Sequence, residues 1–414
     1  MKEISIPGDK SISHRSLLIG SLCRGKTRIK NLLRAGDIFS TIACLKGLGI
    51  RIEETEDGDF VVEGGCFKKP DGILDCGNSG TTIRLLSGIL AGQEFEATLD
   101  GDSSLRKRPM KRVGEPLTLM GANIIGDYPP IKVKGSYLKG ITYKLPVASA
   151  QVKSAILLAG LMASGKTTVI EPLPSRDHTE RMLEFFGVPI ERDGSTICID
   201  GPVEISGDRE ITVPPDFSSS AFFIAGGLLI DHPIIIRNVN INQTRTGFLE
   251  CLKKMGANFE ILNKKLLCNE PVGDIVVKKS RLHGINIGKE IVPRMIDEIP
   301  ILAILACFAE GRTKIEGAEE LRVKESDRIS SIASGLSKLG ARIEELPDGM
   351  VIDGGYPLKG ATIDSYDDHR IAMAFSIASL VVEKIEIKGK ECVDISFPSF
   401  FDILYSIDTS KIYR

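Results

Sequence analysis

The stretches LLIGSLCRGKTRIKNL (Leu17–Leu32) and ILLAGLMASGKTTVIEPL (Ile156–Leu173) decide the fold. In each, a run of small and apolar residues stops at a glycine and a β-branched run follows, which reads as helix, turn and strand. The same order recurs in LLSGILAGQEFEATL (Leu85–Leu99), FFIAGGLLIDHPIIIRNV (Phe222–Val239), ILAILACFAEGRTKIEGA (Ile301–Ala318) and AMAFSIASLVVEKIEIKG (Ala372–Gly389). The turn residues Gly25, Gly92, Gly165, Asp231, Gly311 and Glu383 stand about 70 residues apart, so like units fill the chain of 414 residues.

A second marker falls between them. LGIRI (from Leu48), MGANI (Met120), FGVPI (Phe186), MGANF (Met255) and LGARI (Leu339) each set a glycine between a helical pattern and an extended segment. Glycine there suits the left-handed residue that closes a helix. The last unit lacks the marker, as a terminal repeat often does. Each unit therefore reads helix, strand, helix, strand, strand, which predicts an α/β fold. Gly20, Gly88, Gly160, Ala225, Ala306 and Ala378 lie on the first helices and predict close helix–helix packing in a domain interior. The units divide most simply into two sets of three, with the break near Pro214-Pro215.

GSLCRGKT (Gly20–Thr27) and GLMASGKT (Gly160–Thr167) both satisfy the phosphate-loop pattern GxxxxGK[ST]. A phosphate loop needs a strand before it and a helix after. Here the order is reversed, so nucleotide binding is not expected.

The chain has 53 Lys+Arg and 55 Asp+Glu, no Trp, 7 Tyr and 16 Phe. That balance holds no basic footprint and few rings on which to stack bases, so no nucleic-acid partner is expected. The start, MKEISIPGDK, has no apolar core of a signal peptide. The apolar run Ala221–Ile230 is shorter than the ~20 residues of a bilayer span, so no membrane is expected. Nine scattered cysteines with no CxxC pair read as reduced thiols of a cytoplasmic protein. No metal is expected, because no histidine pair has ligand spacing and Asp367-Asp368 beside Arg370 reads as a helix cap.

The chemistry sits at the starts of the first helices: GDKSISHR (Gly8–Arg15), CGNSGTTIR (Cys76–Arg84), VASAQVKS (Val147–Ser154), PPDFSSSA (Pro214–Ala221), RMIDEIP (Arg294–Pro300) and YDDHRIAM (Tyr366–Met373). Ser, Asp and Asn there suit N-caps. Lys10, Arg15, Arg84, Lys153 and Arg370 do not, since a cation in the first turns opposes the helix dipole by about 0.3–1 kcal/mol. Repeating that cost predicts a site for anions at converging helix N-termini. SSLRKRPMKR (Ser103–Arg112), PSRDHTER (Pro174–Arg181) and LRVKESDR (Leu321–Arg328) add charged loops, the last mixing cations with Glu325 and Asp327 in a way able to tune an acid. His14 and His369 lie beside cations and read equally as hydrogen-bonding groups or catalysts.

In this order over the whole chain, GDKSISHR, GNSGTTIRL, RKRPMKR, ASAQVKSA, SRDHTER, IDEIP, RVKESDR and DDHRIAM resemble the 5-enolpyruvylshikimate-3-phosphate (EPSP) synthase family, 3-phosphoshikimate 1-carboxyvinyltransferases of the shikimate pathway to chorismate and the aromatic amino acids. The resemblance implies two similar domains, each of three βαβαββ units with helices packed inside sheets, and an active site in the cleft between them. The domains would be residues 8–215, and residues 1–7 with 216–414, the chain crossing near Pro7 and Pro215. It implies a monomer that needs no cofactor and transfers the enolpyruvyl group of phosphoenolpyruvate to the 5-hydroxyl of shikimate 3-phosphate, releasing phosphate. Both substrates are anions; unit charges ~6 Å apart repel by about 3 kcal/mol at an effective dielectric of 20, so several cations are needed.

By motif, the resemblance gives Ser11 and Arg15 to the shikimate carboxylate, Ser149, Ser175 and Arg176 to its phosphate, and Gln151 to the face of its ring. Lys10, Gly80, Arg108, Arg328 and Arg370 match the phosphoenolpyruvate site, with Asn78, Thr81, Gln151 and His369 beside them. Lys10 falls among the catalytic matches and on both substrates. Asp297 and Lys324 match residues around the reacting hydroxyl, Asp297 as base, and Glu325 matches the acid that protonates the methylene carbon. Ile395 stands where many members carry a lysine, with Lys388 and Lys390 nearby, and Ala150 replaces a serine. Both departures resemble the bacterial class II members. The sister family of UDP-N-acetylglucosamine enolpyruvyl transferases would show a KKNA-type start and a cysteine in the basic loop, and this chain has neither. A non-catalytic anion-binding module would need neither Asp297 nor Glu325.

Overall fold

A computed structural model describes residues 2–407. The helices are α1 (Lys10–Leu22), α2 (Gly36–Gly47), α3 (Gly80–Ala91), α4 (Lys111–Met120), α5 (Ala150–Gly160), α6 (His178–Phe185), α7 (Phe217–Leu229), α8 (Gly247–Lys254), α9 (Ile299–Phe308), α10 (Arg328–Lys338), α11 (His369–Ala378) and α12 (Phe400–Ile407). Two kinds alternate. α1, α3, α5, α7, α9 and α11 are buried along nearly their whole length. α9, IPILAILACF, has no polar side at all, as an interior helix requires. α2, α4, α6, α8 and α10 bury one face only, as α4 does with Val113, Pro116, Leu117 and Met120.

Between them run short four-stranded sheets with one topology. Leu74–Asp75, Glu96–Asp100, Asn123–Ile125 and Ile131–Lys134 lie in the spatial order first, second, fourth, third. The first pair is parallel (Leu74 opposite Leu99) and the remaining pairs are antiparallel. Thr142–Lys144, Gly165–Ile170, Glu191–Asp193 and Thr196–Gly201 repeat this order, as do Asn286–Ile287, Gly311–Ile315, Arg342–Leu346 and Gly349–Gly354. The unit is therefore βαβαββ with interior helices, the α/β architecture that the repeats and the resemblance imply. Gly49, Gly121, Gly187, Gly256 and Gly340 all have φ between 82° and 119°, so each marker glycine is the left-handed residue that ends its helix. Both GKT motifs follow a helix and enter a strand, which excludes a phosphate loop.

Two sheets obtain their leading strand from far along the chain. Lys2–Ile4 pairs in parallel with Ile234–Asn240, Lys2 opposite Ile234. Ile205–Ser206 and Arg209–Thr212 pair in parallel with Cys23–Lys30. The chain divides into two compact units, one of Gly8–Pro214 with Leu266–Glu270, the other of Met1–Pro7, Pro215–Lys265 and Pro271–Arg414. Each has its own apolar core, including Leu17, Leu86 and Leu157 in the first and Phe222, Leu302 and Phe375 in the second.

The small residues of the interior helices differ in use. A Cβ on Gly88 would lie 2.2 Å from the Ala155 carbonyl oxygen of α5, so α3 and α5 touch backbone to backbone. Gly20 instead faces Thr27, and Gly160 faces Thr167 and Ile199, both on strands. These two glycines serve helix–sheet contact, which corrects the expectation of helix–helix packing. The last repeat ends in a two-stranded sheet, Thr362–Asp364 beside Glu386–Lys388. The Phe397 and Phe400 rings pack on Phe223 of α7, with centroids 6.0 and 5.5 Å away.

Gly88→Ala is expected to destabilise the protein by about 1–3 kcal/mol or more, because the backbones must separate. Gly72→Ala, where a Cβ meets nothing within 4 Å, should change stability by less than about 0.5 kcal/mol in the same urea titration.

Candidate active site

In the unit containing Gly8–Pro214, the N-terminal ends of α1, α3 and α5 are joined by side-chain hydrogen bonds. Asp9, Ser79 and Ser149 cap the helices by accepting from the N–H of Ile12, Thr82 and Val152. Gln151 at the start of α5 donates to Thr81 Oγ1 at 2.9 Å and accepts from Arg84, both on α3. Arg15 of α1 donates to Ser154 Oγ of α5 at 2.8 Å, to Thr179 Oγ1 of α6 at 2.7 Å and to the Ser11 carbonyl at 2.9 Å.

This end is rich in cations. The guanidinium nitrogens of Arg108 and Arg84 would lie 3.1 and 3.2 Å from a Cβ on Gly80, so the glycine makes room for both. Arg108 donates to Asn78 Oδ1 at 2.9 Å, and Asn78 donates to Asp102 at 2.7 Å. Lys10 pairs with Asp37 of α2. Burial pushes the Arg15 guanidinium down to about 10, with Glu180 and Asp9 only partly offsetting it and Arg176 adding to it.

Lys153 departs from the expected pattern. It is 1% exposed and lies 2.9 Å from Glu171 and 2.7 Å from Glu180. Desolvation opposes its charge, but the two carboxylates outweigh it and hold the ammonium above its ordinary value. This cation is neutralised inside the unit and is removed from the anion-gathering set. It also donates to the Ser175 carbonyl at 3.4 Å, and the Ser175 hydroxyl donates to Glu171, so the triad braces the turn carrying Ser175 and Arg176. In the basic loop, Arg106 pairs with Asp100 and Lys111 with Glu115, while Arg108 alone among the three bonds Asn78 beside α3.

In the unit containing Pro271–Arg414, the corresponding cluster is built on carboxylates. Arg328, at the start of α10 and 1% exposed, binds Asp368 through Nε at 2.7 Å and Nη2 at 3.2 Å, Glu325 through Nη2 at 2.6 Å and Asp297 through Nη1 at 3.3 Å. Burial opposes its charge, but Asp368 and Glu325 hold it above the ordinary arginine range. Arg370 reaches the Asp297 carboxylate at 3.4 Å and the Asp297 carbonyl at 3.3 Å. Asp368 is the N-cap of α11, accepting from the Arg370 N–H, as the cap reading expects. Lys324, half-buried, is held below its ordinary value by desolvation, against the pull of Asp297 and Glu320. His369 opens α11 and is buried.

Of the charged loop LRVKESDR, only part joins this cluster: Arg322 pairs with Asp327 at 2.7 Å, and Asp327 caps α10. Ile395 is half-buried, and the Lys390 ammonium sits over the Phe401 ring, 5.5 Å from its centroid. Among the described residues no three of His, Cys, Asp and Glu gather as a metal site, and no helix is long and apolar enough to cross a membrane. The partners Asp37 and Glu171 belong to none of the charged or helix-start motifs, and Ser154, Thr179 and Glu180 lie inside ASAQVKSA and SRDHTER without an assigned role, since nothing local in the sequence marks a residue that bonds another far along the chain.

The EPSP synthase family, described as 3-phosphoshikimate 1-carboxyvinyltransferase, matches residues 1–404. The 3-phosphoshikimate 1-carboxyvinyltransferase of Thermodesulfovibrio yellowstonii is 53% identical over 412 residues, covering 97% of this chain and 96% of the relative. That of Brevibacillus brevis is 49% identical, covering 98% and 96%. The EPSP synthase structure from Acinetobacter baumannii superposes with a TM-score of 0.87 at 44% identity, covering 98% of this chain and 95% of that one. The enolpyruvyl transferase NikO of Streptomyces tendae, 18% identical with a TM-score of 0.78 over 98% and 94% of the chains, shares the fold.

Lys153→Met is expected to cost about 3–5 kcal/mol, since it strands two buried carboxylates. Urea unfolding of the double variant with Glu180→Gln should recover part of that loss.

Proposed function

The chain belongs to the EPSP synthase family, transferring the enolpyruvyl group of phosphoenolpyruvate to the 5-hydroxyl of shikimate 3-phosphate with release of phosphate, and from that premise we propose which side chains do the work. The observation that carries the assignment is Arg15. A guanidinium has five N–H donors, and the three bonds to Ser11, Thr179 and Ser154 leave a second hydrogen on each terminal nitrogen. It is 3% exposed, and its depressed proton affinity reports a charge whose burial is not fully compensated. A substrate carboxylate, gripped by the spare pair, supplies the missing counter-charge. Ser11 lies beside this grip, Ser149, Ser175 and Arg176 take the phosphate of shikimate 3-phosphate, and Gln151 lies against its ring.

Gly80, Asn78, Thr81, Gln151, Arg108 and Lys10 receive phosphoenolpyruvate. Gly80 opens a helix N-terminus beneath two guanidiniums, an arrangement suited to an anion. Arg328, His369 and Arg370 complete the donor contacts. All three nitrogens of Arg328 already bind carboxylates, so its own contact runs through the second hydrogen on Nη1. Asp297 takes the proton of the 5-hydroxyl as that oxygen, steadied by Lys324, bonds the central carbon of phosphoenolpyruvate, and Glu325 in its protonated form gives its proton to the methylene carbon. The tetrahedral adduct then expels phosphate as a proton of the new methyl group returns to the Glu325 carboxylate, which leaves the enolpyruvyl ether. An anion that draws Arg370 towards itself loosens that guanidinium's hold on Asp297 and makes the carboxylate a better base. Lys10 offsets charge on both substrates. The working form is a cytoplasmic monomer, and the replacements at Ile395 and Ala150 resemble those of class II members.

Phosphate release from phosphoenolpyruvate should require shikimate 3-phosphate, and release with a UDP-sugar acceptor instead would overturn the substrate assignment. Asp297→Asn should lower kcat by about 10²–10⁴-fold while calorimetry still detects shikimate 3-phosphate binding. An unchanged kcat removes Asp297 from the base role.

A further inference from the structure

We propose that the buried chain His14–Thr41–Thr82–Ser79 positions the N-terminus of α3 and thereby sets how tightly the Asn78, Gly80 and Arg108 half-site holds phosphoenolpyruvate. The inference deepens the reading above and rests on those residues being donor contacts.

Helices α1 and α2 meet in register. Lys10 and His14, one turn apart on α1, face Asp37 and Thr41, one turn apart on α2. His14 Nδ1 lies 2.8 Å from Thr41 Oγ1, Thr41 Oγ1 lies 2.7 Å from Thr82 Oγ1, and Thr82 Oγ1 donates to Ser79 Oγ at 2.7 Å. Ser79 Oγ also accepts from the Thr82 N–H at 3.1 Å. His14, Thr41 and Thr82 are fully buried, and Ser79 is 1% exposed.

A count of hydrogens fixes the direction of this chain. The single hydroxyl hydrogen of Thr82 is committed to Ser79, so Thr41 must donate to Thr82. The approach of Thr41 Oγ1 to the Asp37 carbonyl, at 3.3 Å, is the weaker claim on the Thr41 hydrogen. With that hydrogen spent, His14 must donate from Nδ1–H. Its other nitrogen, Nε2, is then a bare acceptor, and it has no hydrogen-bond partner among the described residues. Burial, together with Lys10 and Arg15, holds the ring's proton affinity well below the ordinary histidine range, so the ring is neutral.

The outcome is a one-way line of donors ending on the cap of α3. Ser79 Oγ receives two hydrogen bonds and is locked as an acceptor. Its neighbours on either side are Asn78 and Gly80. Anion binding at such a terminus depends on N–H and side-chain donors held within fractions of an ångström, so loosening the cap weakens the grip without touching the ligand. Simple packing predicts otherwise: valine has the shape of threonine, and exchanging them would leave substrate affinity unaltered.

Thr41→Val and Thr82→Val, each of which breaks the line of donors to Ser79, should each raise KM for phosphoenolpyruvate about tenfold and leave KM for shikimate 3-phosphate unchanged. Thr41→Ser, which keeps the hydroxyl, should restore the parent value. If Thr82→Val fails to fold, Thr41→Val decides alone. Unmoved constants in the valine variants, or equal shifts for both substrates, overturn the proposal. Arg108→Ala reports on the half-site separately. A raised KM for phosphoenolpyruvate there with an unmoved Thr41→Val ends the positioning role alone, whereas an unaffected Arg108→Ala ends the half-site reading.

Discussion

Six helices without a wet side must pass their polar groups out through their ends, and the rest of the structure follows from that constraint. An interior helix leaves its first N–H groups unpaired, and burying them without partners would be costly. Here five of the six starts are met by a capping carboxylate or hydroxyl, from Asp9, Ser79, Ser149, Asp216 and Asp368. Once helix starts are gathered in this way, positive potential and dense hydrogen bonding accumulate together. The polar clusters at these helix starts are thus a by-product of how each core is closed.

The two ends so formed differ in sign. The cluster of Arg15, Arg84, Arg108 and Lys10 is rich in cations and suited to receiving anions. The cluster around Arg328 is crowded with them, and Asp297, Glu325 and Asp368 share one buried guanidinium. On the reading proposed above, Asp297 must stay ionised until it takes its proton, and the guanidiniums of Arg328 and Arg370 beside it favour that state. The two units accordingly gather different residue chemistry at their helix starts, cations in one and carboxylates around a shared guanidinium in the other.

Much of this was legible in the sequence because repetition amplifies weak signals. One glycine after one helix says little, but Gly49, Gly121, Gly187, Gly256 and Gly340 at matching places mark helix ends, and all five adopt left-handed backbone. The polar helix starts were legible for the same reason. What escaped was anything settled by a distant partner. Whether Lys153 meets substrate or protein depends on Glu171 and Glu180, which belong to other elements, and no local pattern pairs them with it. Gly20 and Gly88 look alike along the chain, yet one backs onto a strand and the other onto a helix. The His14 chain crosses three helices and is invisible to any motif, since threonines at 41 and 82 are unremarkable singly.

The exchanged leading strands bear on how the chain comes off the ribosome. Lys2–Ile4 finds its sheet partner only at Ile234–Ile236, and Cys23–Lys30 waits for Ile205–Thr212. Neither sheet can be completed from a nascent fragment shorter than about half the protein, so the earliest repeats must persist with an open sheet edge while translation continues. Splitting the gene at a unit boundary would likewise orphan the first few residues from the sheet they complete.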